Sequence, residues 1–139
     1  MAMKVVLAYS GGLDTSVAIP WLKERYDAQV VTVTVDLGGG GRESADVRER
    51  ALAAGAIKAI TVDGKEPFVE HFVFPALQAG AIYQGQYPLA TALGRPLIAR
   101  YLVYAAQKEK AQAVAHGCTG KGNDQVRFDL GITTLDSSL

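Results

Sequence analysis

The segment Ser10-Gly11-Gly12-Leu13-Asp14-Thr15-Ser16 constrains this chain more than any other. It follows the apolar run Val5-Val6-Leu7-Ala8-Tyr9 and leads into Asp14 to Tyr26, where Val17, Ala18, Trp21 and Leu22 recur at helical spacing. The order predicts a strand that breaks in a tight turn and continues as a helix. Glycines at such a junction let backbone N–H groups approach an anion closely. The first-turn amides of the helix, which have no intrahelical acceptor, point at it. Ser10, Thr15 and Ser16 add hydroxyl donors. The plain alternative is a capped tight turn. Seven such residues at a strand-to-helix junction favour a phosphate cradle. Other phosphate motifs do not fit. Gly117-Cys118-Thr119-Gly120-Lys121-Gly122 lacks the first glycine of a GxxxxGK[ST] loop and has glycine after its lysine. The run Gly38–Gly41 is followed by Arg42-Glu43-Ser44, so a GxGxxG fingerprint lacks its third glycine.

Strand and helix patterns alternate from end to end. Strands are expected at Lys4–Tyr9, Gln29–Leu37, Ile57–Val62 and Ala113–His116. Helices are expected at Asp14–Tyr26, Glu43–Ala54, Lys65–Ala79 and Pro96–Lys110. Pro20 should kink the first helix or remove one of its hydrogen bonds. In the third, Phe68, Val69, Phe72 and Val73 share a face. Pro96 is placed in the first turn of the fourth. Gly38–Gly41 reads as a flexible turn, Gly80–Gly94 as irregular, and the tail as ambiguous. The β-α-β order predicts an α/β fold, a parallel sheet with helices on both faces. Ligands in such sheets sit beyond the carboxyl ends of the strands. Ser10–Ser16, Asp36–Gly41 and Gly117–Asp124 each follow a strand, so all three should meet at one edge.

At 139 residues the chain has the length of one domain. It carries 14 basic and 14 acidic side chains, a balance that argues against a nucleic-acid channel. One cysteine, Cys118, excludes an internal disulfide and fits a reducing, cytoplasmic compartment. No run approaches the roughly eighteen apolar residues of a membrane span, and the N-terminus does not read as a signal peptide. No metal-ligating cluster stands out.

A second signal runs from His116 to Phe128 (HGCTGKGNDQVRF). Its glycines, Thr119, Asn123, Asp124 and Arg127 mix donors and acceptors after a strand. That suits a zwitterion: Asp124 for an ammonium; Thr119, Asn123 and Arg127 for carboxylates. The alternative is a surface loop with a capped helix start.

The first motif resembles the pyrophosphate loop of the ATP pyrophosphatase superfamily, whose fold is the Rossmann-like adenine nucleotide alpha hydrolase-like (HUP) domain. AYSGGLDTS, VDLGGG, YPLATALGRPLIAR and AHGCTGKGNDQVRF together resemble, in order and spacing, the N-terminal nucleotide-binding domain of the argininosuccinate synthase family. The resemblance implies a ligase that condenses citrulline with aspartate and converts ATP, with Mg²⁺, to AMP and pyrophosphate. It implies ATP contacts at Ala8, Tyr9, Ser10, Gly11, Gly12, Leu13, Asp14, Thr15, Ser16, Val35 and Gly117. Val35 stands where the family usually has Ala. It implies citrulline contacts at Tyr87, Asn123 and Arg127, and aspartate contacts at Thr119, Asn123 and Asp124. Ala92 stands where many members have Ser near citrulline. The family's members continue into a synthetase domain and assemble as homotetramers. The expectation is therefore a nucleotide-binding domain over 1–139 without that second domain, a truncated or split form with little activity alone. No catalytic side chain is singled out. Asp14 either orients a metal through water or caps the helix. His116 is read as a hydrogen-bonded structural histidine in preference to a nucleotide contact, Cys118 as packing, and Lys121 as a phosphate ligand or a solvated lysine. Arg95 is read as a carboxylate ligand or a salt-bridge partner. Competing functions are another adenylating enzyme of the superfamily, such as one acting on a tRNA base, and a non-enzymatic ATP-binding module. The first would want a basic surface. The second would want a Gly-x₂-Gly-x₉-Gly signature, which fails at Leu130.

Overall fold

A computed structural model describes residues 2–39 and 44–139. Four parallel strands make the sheet: β1 (Lys4–Ala8), β2 (Gln29–Asp36), β3 (Lys58–Asp63) and β4 (Ala113–Ala115), in the order β3-β2-β1-β4. Val6 pairs in register with Val31 on one side and Val114 on the other. β1 is central, and its five residues, KVVLA, are buried or half-buried. The apolar run Val5–Ala8 suits a parallel strand covered on both faces.

The two faces carry separate cores. On one, Val5, Leu7 and Tyr9 pack against Ile19 and Leu22 of α1 (Leu13–Tyr26) and Val47 and Ala51 of α2 (Ser44–Ala53). On the other, Val6, Val31 and Val33 pack against Ala99, Leu102 and Val103 of α5 (Ala90–Glu109) and Phe128 and Ile132 of α6 (Asn123–Leu135). The alternation of Val5, Val6 and Leu7 sends successive side chains to opposite cores. α1 remains one helix across Pro20. No helix among the described residues is long and apolar enough to cross a membrane.

Several expected elements differ. Lys65–Ala79 is not one α-helix but α3 (Lys65–Phe68), a π-helical turn (Val69–Val73) and α4 (Phe74–Gln78). The Phe74 N–H returns to the carbonyl of Val69, five residues back. Pro75, which has no N–H to continue the ladder, is the second residue of the next piece. Only Phe68 of the expected apolar face is fully buried. The helix expected from Pro96 begins at Ala90, so the irregular segment ends at Leu89. Leu89 adopts a left-handed conformation, and its carbonyl accepts the Leu93 N–H at 2.9 Å. Gly94 and Pro96 therefore lie inside α5. Gly94 is a packing device there, since a Cβ on it would meet Leu37 Cδ1 at 2.7 Å. The ambiguous tail is α6 and its short extension. The expected Gly38–Gly41 turn and the start of the Glu43 helix fall partly outside the described residues.

Candidate functional site

The chain runs from β1 to β2 to β3 on one side of the sheet and then crosses to β4 on the other side of β1. This reversal opens a crevice between β1 and β4 at their carboxyl ends. A cleft of about 1000 Å³ occupies it. Ser10, Asp36 and Gly117, one from each expected segment, all line it.

The loop after β1 owes its shape to its own hydroxyls. The Tyr9 N–H still bonds the Val33 carbonyl at 2.9 Å, so the strand holds to its end. Gly11 then turns with φ +73°, and a Cβ there would lie 3.2 Å from both γ carbons of Val47. Gly12 is the N-cap residue of α1, and no side chain caps the helix. Below the turn, the Tyr9 hydroxyl meets Ser16 Oγ at 2.8 Å, and Ser16 Oγ donates to the Gly12 carbonyl at 2.8 Å. On the cleft side, Ser10 Oγ accepts from the Gly12 N–H and lies 3.3 Å from Thr15 Oγ1. The result is a braced turn whose first helical amides are left to an external acceptor, as an anion requires.

Of the residues assigned to ATP by resemblance, Ala8, Tyr9, Ser10, Gly12, Thr15, Val35 and Gly117 line the cleft. Leu13 does not; it is 78% exposed. Asp14 is exposed on the first turn of α1, near Gly117. Gly11 is buried against Val47, and Ser16 is tied to Tyr9. Among the described residues, no three His, Cys, Asp or Glu side chains gather to hold a metal. Mg²⁺ arriving with a nucleotide keeps phosphate oxygens and waters as most of its ligands, so it asks for at most one or two carboxylates. Asp14 and the cleft-lining Asp36 are of that type.

A second pocket, about 370 Å³, adjoins the first and is lined by Arg95, Gly117, Cys118, Thr119, Gly122 and Asp124. Here the charges concentrate. Arg95 Nη2 donates to Asp124 Oδ2 at 2.8 Å, and Arg127 Nη1 donates to Oδ1 at 2.9 Å. The Arg95 contact, more than that of Arg127, holds the Asp124 carboxyl below the usual carboxylate range, against the opposing effect of partial burial. Burial pushes the Cys118 thiol upward, so it is not an activated nucleophile. His116 Nδ1 accepts the Cys118 N–H at 3.3 Å, which leaves Nε2 to donate to Asp129 at 3.2 Å. Its ring stacks on Phe128, and it also lines the cleft.

Thr119 and Asp124 thus share one pocket, and Arg127 reaches it through Asp124. Asn123 is exposed at the start of α6. Tyr87 stands apart in the irregular segment, exposed, paired with Tyr83 through two backbone bonds and 3.4 Å from Thr91 Oγ1. Sequence reasoning left Arg95 open between carboxylate binding and a packing or salt-bridge role, placed Asp36 at the ligand edge without a role of its own, and gave no place to Lys65. Lys65 lies 2.9 Å from Asp36 and 3.4 Å from Asp63. It lowers the carboxyl of Asp36, which in turn raises its ammonium. The alignment of Asp36 with Asp63 at the ends of paired strands was readable only once the register was known.

The family model described as "Arginosuccinate synthase N-terminal HUP domain" matches residues 4–139. Argininosuccinate synthase of Gloeobacter violaceus is 62% identical over 139 residues, covering 99% of this chain and 35% of that protein. The enzyme of Pelotomaculum thermopropionicum is 58% identical over 136 residues, covering 98% and 34%. The chain therefore spans about a third of the length of the curated relatives it matches. Among solved structures, a predicted subunit of tRNA methyltransferase from Methanocaldococcus jannaschii superposes with a TM-score of 0.58 at 20% identity, over 87% of this chain and 56% of that one. NAD⁺ synthetase from Burkholderia pseudomallei gives 0.52 at 20% identity, over 97% and 66%. At that identity the likeness speaks for the fold alone.

Proposed function

The chain belongs to the argininosuccinate synthase family, to its N-terminal HUP domain, and on that premise we propose that residues 1–139 form the nucleotide-binding part of an ATP-dependent carbon–nitrogen ligase. The substrates are MgATP, citrulline and aspartate. The ureido oxygen of citrulline attacks the α-phosphorus of ATP, the α–β phosphoanhydride bond breaks, and pyrophosphate leaves. The amine of aspartate then attacks the ureido carbon of citrullyl-AMP, and AMP leaves. Such displacements need alignment and charge stabilisation more than covalent help.

The observation that carries this reading is the meeting of the braced Ser10–Thr15 loop, Val35 and Gly117 around one cleft, in a chain 55–62% identical to these ligases. The first-turn amides of α1 receive the pyrophosphate that departs. Val35, on the β2 edge of the cleft, offers backbone groups to adenine. Thr119, Asn123 and Asp124 take aspartate, with the Asp124 carboxylate toward its ammonium. Tyr87, Asn123 and Arg127 take citrulline. Phosphate groups of MgATP bring Mg²⁺, with Asp14 reaching it through water. In the cell the protein works in the cytoplasm, within the family's homotetramer.

The test is AMP and pyrophosphate release by the purified chain with MgATP, citrulline and aspartate, run with and without tRNA. ATP binding accompanied by release that depends on citrulline and ignores tRNA is expected, at a low rate for the 139-residue chain alone. Release that depends on tRNA, or failure to bind ATP, contradicts the reading.

A further inference from the structure

Arg95 lines both the cleft and the smaller pocket. Its side chain is 26% exposed, its guanidinium lies 5.7 Å over the Phe128 ring, and one of its terminal nitrogens holds Asp124. Its Nε is sealed from solvent without a hydrogen-bond partner. A buried donor in that state costs free energy, and a structural salt bridge alone gives no reason to keep it. Arg127 occupies the other oxygen of Asp124. Two guanidiniums on one carboxylate leave this cluster at a net charge of +1. The next acid along α6, Asp129, is turned to His116 and Gln125 and does not offset it.

Competition for partners then couples the two pockets. An ammonium entering beside Asp124 must share its carboxylate with Arg95. An anion entering beside Arg95 offers that guanidinium another acceptor. Each ligand therefore takes a partner that the other needs released. Arginine suits such a position, because its planar fork has five donors and serves two acceptors at once.

We propose that Arg95 is a positioning residue that changes partner: a nucleotide phosphate in the cleft draws its guanidinium from Asp124, and the carboxylate so released receives the ammonium group of the second substrate. The inference rests on the nucleotide reading above and adds an order to it, with the anion preparing the site of the amine. By linkage the effect is reciprocal, so the amine substrate tightens the nucleotide by the same factor.

The test is calorimetric titration with α,β-methylene-ATP and Mg²⁺, whose bridging carbon blocks the scissile bond, with and without saturating L-aspartate. In the wild type, aspartate tightens analogue binding about five-fold or more. In R95Q that factor falls to one. In D124N, Arg95 is released from its anionic partner, so the analogue binds more tightly than in the wild type even without aspartate. A clamp of merely structural value predicts the opposite in D124N, weaker analogue binding. That result, or a wild type whose analogue affinity ignores aspartate, overturns the proposal. A wild type that fails to bind the analogue at all overturns the nucleotide reading beneath it.

Discussion

At the β1 end of the cleft, Ser10, Gly12 and Thr15 present backbone amides and neutral hydroxyls; at the β4 end, Arg95, Asp124 and Arg127 present formal charges in hydrogen-bond contact. The first end depends on conformation. Its dipoles do not titrate, and no single side-chain atom supplies them. The second depends on a balance of ions, each able to be neutralised, screened or re-partnered. Under the proposed function, a site for a highly charged phosphate chain and a zwitterion would use both materials, each where it suits the ligand.

The comparison breaks most severely at Gly11. Its φ of +73° and the 3.2 Å approach to Val47 leave no room for a branched side chain. Gly11→Val forces the turn open, at about 1–3 kcal/mol for the backbone conformation alone, and calorimetry should detect no ATP binding. Undiminished ATP affinity in that variant would show that the loop is not the phosphate site.

At the charged end, Asp124→Ala removes one charge-assisted contact, worth roughly 1.5–3 kcal/mol, so aspartate affinity should fall about ten- to over a hundred-fold while ATP binding survives. Loss of ATP binding with normal aspartate affinity would reverse the roles assigned to the two ends. The same carboxylate sets a pH expectation. Its pKa in the folded protein is held below the ordinary value of 3.8, chiefly by Arg95. The stabilisation it supplies is present above that ordinary value and is lost only as pH falls through the lower folded one. Aspartate affinity measured from pH 5 to 8 should therefore show no step from Asp124; a step from this carboxyl in that window would mean that its surroundings raise its pKa above the ordinary value instead of lowering it.

Removing a single hydroxyl from the conformational end should do far less. Ser10→Ala deletes two long contacts, to the Gly12 N–H and to Thr15. It should weaken ATP by a few-fold, about 0.5–1.5 kcal/mol; a total loss would shift the affinity from the backbone to the side chain. The smallest effect is expected at Lys65. Its ion pairs with Asp36 and Asp63 are exposed, where solvent screens them. Lys65→Met should leave the urea midpoint within measurement error, and a clear drop would mark a structural role for that triad.

Much of this was legible in the sequence because the signals were local. The apolar run into Ser10-Gly11-Gly12, the β-branched Gln29–Asp36 and the breaks between them fix a parallel α/β order. That order alone brings Ser10, Asp36 and Gly117 to one edge. What escaped was decided by tertiary packing. Gly94 and Pro96 look like helix breakers, yet both lie inside α5, where the absence of a Cβ at Gly94 clears Leu37. The π turn at Val69–Val73 follows from Pro75, whose influence reaches back over a turn that composition makes look regular. Helix α6 had its signals in Asn123-Asp124 at the start and Phe128 and Ile132 four residues apart; the ligand-like chemistry of the same segment hid them. Arg95 was ambiguous because its neighbours Asp124 and Phe128 lie about thirty residues away in the chain and meet it only across the packed α5 and α6.

The most direct test of the central claim, that the loop after β1 holds nucleotide phosphates through backbone amides, is a ¹H–¹⁵N correlation spectrum of the labelled chain titrated with α,β-methylene-ATP and Mg²⁺. The account predicts that the amides of residues 10–16 shift most, with smaller movements at Val35 and Gly117 and none along the remote β4 start at Ala113. Saturable shifts confined elsewhere, with the amides of residues 10–16 unmoved, would contradict it.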